Sequence, residues 1–137
     1  MANIEAIYHA SLTTGSEIRV EATTVAAYVE SPFSVYCETS VPPAERDPLT
    51  PYQNLLFRRG QEHEGIVVEE MYPVSVEETF VTEEEGFWKG LEWMSQGVEV
   101  IHGIPLLYLP EGIGGRPDLL VRVDGDTSHF GNYHYEI

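Results

Sequence analysis

Asp118 and Glu136 are the residues whose types and settings could do chemistry, with His63 as a third. The stretch Gly115-Arg116-Pro117-Asp118-Leu119-Leu120-Val121-Arg122-Val123 and the stretch Tyr133-His134-Tyr135-Glu136-Ile137 both alternate apolar and polar residues at a period near two. Both therefore read as strands, with Asp118 opening the first and Glu136 near the end of the second. Two carboxylates on adjacent strands can converge on a divalent cation, and an imidazole adds a nitrogen donor. Oxygen and nitrogen ligands of this kind suit Mn²⁺ and in part Mg²⁺. Such a cation can activate water and stabilise the leaving oxygen of a phosphodiester.

Each of the three also has a plain structural reading. Asp118 enters the apolar run Leu119-Leu120-Val121, where a carboxylate is costly unless it is paired or metal-bound. An ion pair with Arg116 or Arg122, or a solvent-facing strand end, would satisfy it equally. Glu136 alternates with His134, so the two share a strand face opposite Tyr133 and Tyr135, as ordinary polar-face residues would. His63 follows Leu56 and Gly60 at i, i+4 and i+7, which predicts that it looks inward from a helix.

The elements that must position these residues can be read in order. Glu17-Ile18-Arg19-Val20-Glu21 alternates like a short strand after the turn-forming Thr13-Thr14-Gly15-Ser16. Thr23 or Thr24 can cap a short helix through Val25–Val29 that Pro32 interrupts, and Phe33, Tyr36 and Cys37 fall at helical spacing before Val41-Pro42-Pro43 breaks the chain. The strongest helix signal is Thr50 as N-cap with Pro51 at the first position and Gln53 completing a capping box, carrying a helix to about Met71. Tyr72 to Val81 reads as a strand or extended connector. Thr82 and Glu85 form a second capping box, with Phe87, Leu91 and Met94 as the buried stripe of the helix that follows. Glu83, Glu84 and Glu85 suit the positive end of that helix, so capping explains this acidic run better than a metal site does.

Val98-Glu99-Val100-Ile101-His102 begins the sheet, and Leu106-Leu107-Tyr108-Leu109 either extends that strand or pairs with it. Pro110 to Gly115 reads as a turn, and Gly125 to Asn132 as a polar loop between the last two strands. Helices first and a curved meander of strands afterwards predict one α+β or α/β domain over residues 1–137, its sheet mixed and partly antiparallel.

Composition narrows the function. The chain has 137 residues, enough for one domain with a real core. A single cysteine, Cys37, excludes an internal disulfide and any four-cysteine zinc or iron–sulfur site within the chain. The start Met1-Ala2-Asn3-Ile4-Glu5 lacks the basic and apolar regions of a signal peptide, and no apolar run is long enough for a bilayer, so a cytoplasmic, membrane-free protein is expected. The formal net charge is −16, and Lys89 is the only lysine, which disfavours stand-alone nucleic-acid binding through a broad basic surface. A metal-recruiting enzyme remains compatible with that charge, because a bound cation inverts the local electrostatics. No phosphate loop, nucleophile elbow or HExxH pattern supports a small-molecule hydrolase.

Taken in order, Gly60-x-x-His63-Glu64, Gly115-Arg116-Pro117-Asp118 and Tyr135-Glu136-Ile137 resemble the RecB-like branch of the PD-(D/E)xK nuclease superfamily, within it the group related to CRISPR adaptation exonucleases. Thr24 to Pro32 and Tyr52 to Glu64 are similar to that group as well, so the resemblance runs from about residue 23 to the end. It implies a restriction-endonuclease-like core and metal-dependent hydrolysis of DNA with Mg²⁺ or Mn²⁺. His63, Asp118 and Glu136 would be side-chain ligands, Ile137 would offer its backbone carbonyl, and Asp118 and Glu136 would carry catalysis. The family's lysine, two positions after the acid, falls beyond Ile137. The chain is therefore expected to be the N-terminal portion of a longer nuclease domain and to be inactive alone, with DNA engaged by the full-length protein. Some relatives carry a cluster-binding cysteine where Ser31 stands here, so no iron–sulfur cluster is expected. The alternative is a non-catalytic acidic interaction or structural domain derived from the nuclease fold, able to self-associate through an open sheet edge.

Overall fold

A computed structural model describes residues 2–137. Five α-helices come before the strands and define an α+β fold: α1 (Ile4–Leu12), α2 (Ala22–Glu30), α3 (Pro32–Ser40), α4 (Pro51–Met71) and α5 (Glu83–Ser95). The strands are β1 (Val100–His102), β2 (Leu106–Tyr108), β3 (Ile113–Gly115), β4 (Leu119–Ser128) and β5 (Gly131–Glu136). The described residues gather into two compact units, residues 2–22 with 74–137, and residues 23–73. No helix among the described residues is long and apolar enough to cross a membrane.

The unit of residues 23–73 is helical, and its boundaries follow from local chemistry. Ser31 caps α3 ahead of Pro32, its hydroxyl accepting from the Ser34 N–H. At α4 the Thr50 hydroxyl accepts from the Gln53 N–H at 3.2 Å while the Gln53 side chain accepts from the Thr50 N–H at 2.9 Å. That helix buries only Val68.

The other unit holds the sheets and the core. Its α5 starts at a second capping box, Thr82 with Glu85, and buries Phe87, Leu91 and Met94. Phe87 and Leu91 pack with Leu107 of β2 and with Ile4, Ile7, Tyr8 and Leu12 of α1. Met94 packs with Ile101, Ile104 and Leu120, which ties the same helix to β1 and β4. Burying one apolar stripe against two partners is what fixes α5 between α1 and the strands.

The strands form a three-stranded antiparallel sheet in the order β1-β4-β5 and a separate hairpin, β2-β3. Several sequence expectations change here. Leu106–Tyr108 neither extends β1 nor pairs with it. Gly103, at φ +63°, turns the chain and Pro105 lacks a ladder donor, so β2 pairs instead with Ile113–Gly115, residues that read as turn. The predicted strand over Glu17–Glu21 reduces to one parallel bridge between Val20 and Ile113, and Val76 makes a comparable bridge to Ile101. The segment Gly125 to Asn132 is not a loop. β4 continues to Ser128 through a register shift after Asp124, with Gly125 at φ +119°, and β5 starts at Gly131.

Candidate metal-holding end of the β4–β5 hairpin

Antiparallel pairing brings the start of β4 and the end of β5 to the same end of the sheet. Val121 stands opposite Glu136, and Val123 opposite His134, so Glu136 and His134 share a face as their alternation predicts. The two side chains meet there, with His134 Nε2 3.1 Å from Glu136 Oε1. The other imidazole nitrogen, Nδ1, is buried and has no hydrogen-bond partner. The carboxylate of Glu136 is solvent-accessible and oriented by one imidazole.

Asp118 lies in the bend just before β4, not within the strand as the alternation suggests. Its backbone carbonyl accepts from the Gly103 N–H at 3.0 Å, which anchors the bend, and its side chain is exposed. The arginines expected as its ion-pair partners are engaged elsewhere. Arg116 donates to the Gly103 carbonyl and lies 5.1 Å over the Phe80 ring. Arg122 pairs with Asp124 at 3.1 Å, donates to the Gly97 carbonyl and lies 5.4 Å over Tyr133. Ile137 follows β5 and is 88% exposed.

His63 belongs to α4 in the other unit, and its side chain is exposed. The expectation that it looks inward is corrected. Leu56 on the same face is 52% exposed, and a Cβ built on Gly60 would meet nothing within 4 Å, so that face is open. Arg58 and Arg59 reach Glu62 at 3.9 and 3.1 Å, giving this stretch of α4 a solvated, ion-paired surface. Among the described residues, no group of three or more His, Cys, Asp or Glu side chains is arranged to hold a metal ion. Asp118 and Glu136 lie at the same end of the sheet, with Glu136 opposite Val121, three residues beyond Asp118. Carboxylates are the donors taken by a cation that keeps several of its waters, as Mg²⁺ does when one or two carboxylates bind it.

The acidic run at the start of α5 has other work. Glu85 Oε2 accepts from the Val81 and Thr82 N–H groups at 3.0 and 3.3 Å. Glu83 pairs with Arg19, whose hydrogen bond and charge hold the Glu83 carboxyl below the usual carboxylate range.

Tyr135, between His134 and Glu136, faces the core, and its hydroxyl donates to the Val98 carbonyl at 2.6 Å. Burial and the neighbouring Tyr133 push its pKa up to about 12. Because the folded value lies above the ordinary one of 10.0, this residue's contribution to stability is complete below pH 10 and is lost as pH rises towards 12. Tyrosinate absorbance should show one group titrating near pH 12 in the folded protein, and that step should vanish in Tyr135→Phe. Removing the hydroxyl should cost about 0.5–1.5 kcal/mol in urea unfolding, the net worth of one hydrogen bond.

Sequence reading passed over a cluster on α5. Trp88, Lys89, Glu92 and Trp93 lie at i and i+4 spacings on one helix, a signal that was open to view. Of these, Trp88, Lys89 and Trp93 border a cavity together with Tyr8 and Phe80.

The fold and this end of the sheet define an α+β domain with two carboxylates at the mouth of an antiparallel hairpin. No family model, no curated protein and no solved structure matches the chain.

Proposed function

We propose that this chain carries the metal-holding part of a divalent-cation-dependent DNA nuclease domain of the RecB-like type it resembles. The observation that carries the reading is the pair of accessible carboxylates at one end of the sheet. Asp118 stays exposed at the entry to the central strand although two arginines flank it in sequence, and Glu136 is held by His134 on the neighbouring strand. Metal-bound carboxylates are commonly oriented by a hydrogen bond from a neighbouring group, the role His134 has towards Glu136. A bound Mg²⁺ or Mn²⁺ would supply an activated water and stabilisation of developing phosphate charge. Asp118 and Glu136 would hold it, and the Ile137 carbonyl would be a further oxygen donor. His63 enters through the resemblance alone.

Thermal unfolding in Mn²⁺ tests this. At ten times its Kd the ion should stabilise the wild type by about 1.4 kcal/mol. Asp118→Ala and Glu136→Ala should abolish the gain, and His134→Ala should reduce it. His63→Ala tests the third donor separately. Equal stabilisation of the wild type and both carboxylate variants would sink the reading. If the protein cleaves linear DNA in Mn²⁺, Asp118→Ala should eliminate that cleavage.

A non-catalytic interaction domain is the second reading, favoured by the exposed apolar side chains of residues 23–73. Val29, Phe33, Tyr52 and Met71 are each about two-thirds exposed or more, and accessible apolar surface of this kind marks binding faces. β5 is also an edge strand whose outer side could pair with a second copy. Sedimentation showing a stable dimer with no response to Mn²⁺ would favour this second reading over the first.

A further inference from the structure

We propose that the cavity beside α5 is a binding site for an alkylated ammonium group. The cavity, about 380 Å³, lies wholly within the unit of residues 2–22 and 74–137 and shares no residue with the Asp118–Glu136 end of the sheet. Its volume falls in the range of small-ligand pockets. Four aromatic side chains, Tyr8, Phe80, Trp88 and Trp93, supply much of its wall. Tyr8 and Trp88 meet edge to face, with centroids 5.1 Å apart and planes at 89°. Aromatic faces carry negative electrostatic potential, and indole carries the most, so a cation gains where it is stripped of water against them.

The protein already places a cation there. Lys89 Nζ stands 5.6 Å from the centre of the Trp93 ring, 3.6 Å from Glu78 and 3.4 Å from Glu92. A flexible lysine stem lets that ammonium withdraw from the ring face. Two carboxylates, Glu78 and Glu92, flank that one ammonium, and Glu85 borders the cavity with its carboxylate on the Val81 and Thr82 N–H groups, so the site keeps negative charge after Lys89 is counted. An anionic ligand meets that excess, and a neutral one leaves it uncompensated. A methylated ammonium satisfies both the aromatic walls and the charge without needing a hydrogen-bond acceptor for each proton.

Both tryptophans of the chain border the cavity, so intrinsic fluorescence reports on it directly. Choline, titrated at constant ionic strength, should give a saturable change in emission. Its neutral isostere 3,3-dimethylbutan-1-ol should bind about tenfold more weakly, the loss of about 1.4 kcal/mol from one cation–aromatic site. Glu78→Gln, an exposed position whose fold can be checked by circular dichroism, should weaken choline several-fold. Lys89→Met should strengthen it several-fold by clearing the competing ammonium from Trp93. A peptide carrying trimethyllysine, run in parallel, separates a protein side chain from a free small molecule as the source, and tighter binding of either supports the ammonium assignment. The proposal is overturned by an absence of saturation, by equal binding of the neutral isostere, by preferential binding of benzoate, or by loss of choline binding in a folded Lys89→Met protein.

Discussion

Ile101→Ala should lower the unfolding free energy by about 2–5 kcal/mol, the range for truncating a large aliphatic side chain in a packed core. Ile101 is fully buried, and its cluster joins Met94 of α5, Leu120 of β4 and Ile104 in the bend after β1. The residue also stands opposite Leu120 in the β1–β4 register and receives the bridge from Val76. A cavity at that point loosens the helix, two strands and the connector at once, which leaves few ways for the site to collapse around it. Urea unfolding should show the full loss as a shift of midpoint at unchanged slope, and Ile101→Val should cost only about 0.5–1.5 kcal/mol. A cost for alanine no larger than that for valine would mean that the packing around β1 is not as tight as the structure has it.

Gly112→Ala should cost more than about 2 kcal/mol through two separate terms, a backbone one and a steric one. Gly112 turns the β2–β3 hairpin at φ +68°, where a side chain costs roughly 1–2 kcal/mol. An added Cβ would also stand 2.2 Å from the Ile18 carbonyl, a backbone atom that cannot rotate away. Relief requires the segment around Ile18 to move. That motion breaks the Val20 N–H to Gly112 carbonyl bond of 2.7 Å and its companion from the Gly114 N–H to the Val20 carbonyl of 3.1 Å. Native-state hydrogen exchange should therefore show the Val20 and Gly114 amides opening much faster than in the wild type, alongside the drop in urea midpoint. Unchanged protection at Val20 would show that the bridge to β3 does not depend on the glycine.

The alkylammonium site and the metal-holding reading make independent demands on the same unit. Failure of Mn²⁺ to discriminate Asp118→Ala from wild type leaves choline binding untouched, because the two sites share no side chain. Choline binding that survives Lys89→Met unchanged would instead place the ligand off the Trp93 face, whatever Mn²⁺ does.

What the sequence determined by itself was local. Both capping boxes, Thr50 with Gln53 and Thr82 with Glu85, were legible because each motif satisfies helix-end N–H groups using residues three positions apart. The buried stripe of Phe87, Leu91 and Met94 was legible because a 3.6-residue period needs no knowledge of what covers it. The shared face of His134 and Glu136 followed from alternation alone.

Tertiary structure decided everything that depends on a distant partner. Strand pairing is the clearest case: Leu106–Tyr108 could have joined either neighbour, and only the positive φ at Gly103 with Pro105 behind it sends it to β3. His63 had the spacing of an inward residue, but spacing reports a face and not what that face meets, and on α4 it meets no core. Asp118 is the sharpest instance. The sequence places Arg116 and Arg122 within reach of it, while folding draws the first to the Gly103 carbonyl and Phe80 and the second to Gly97, Asp124 and Tyr133. The long arginine side chains settle where backbone carbonyls, aromatic faces and carboxylates coincide, and such coincidences arise only once the strands have paired.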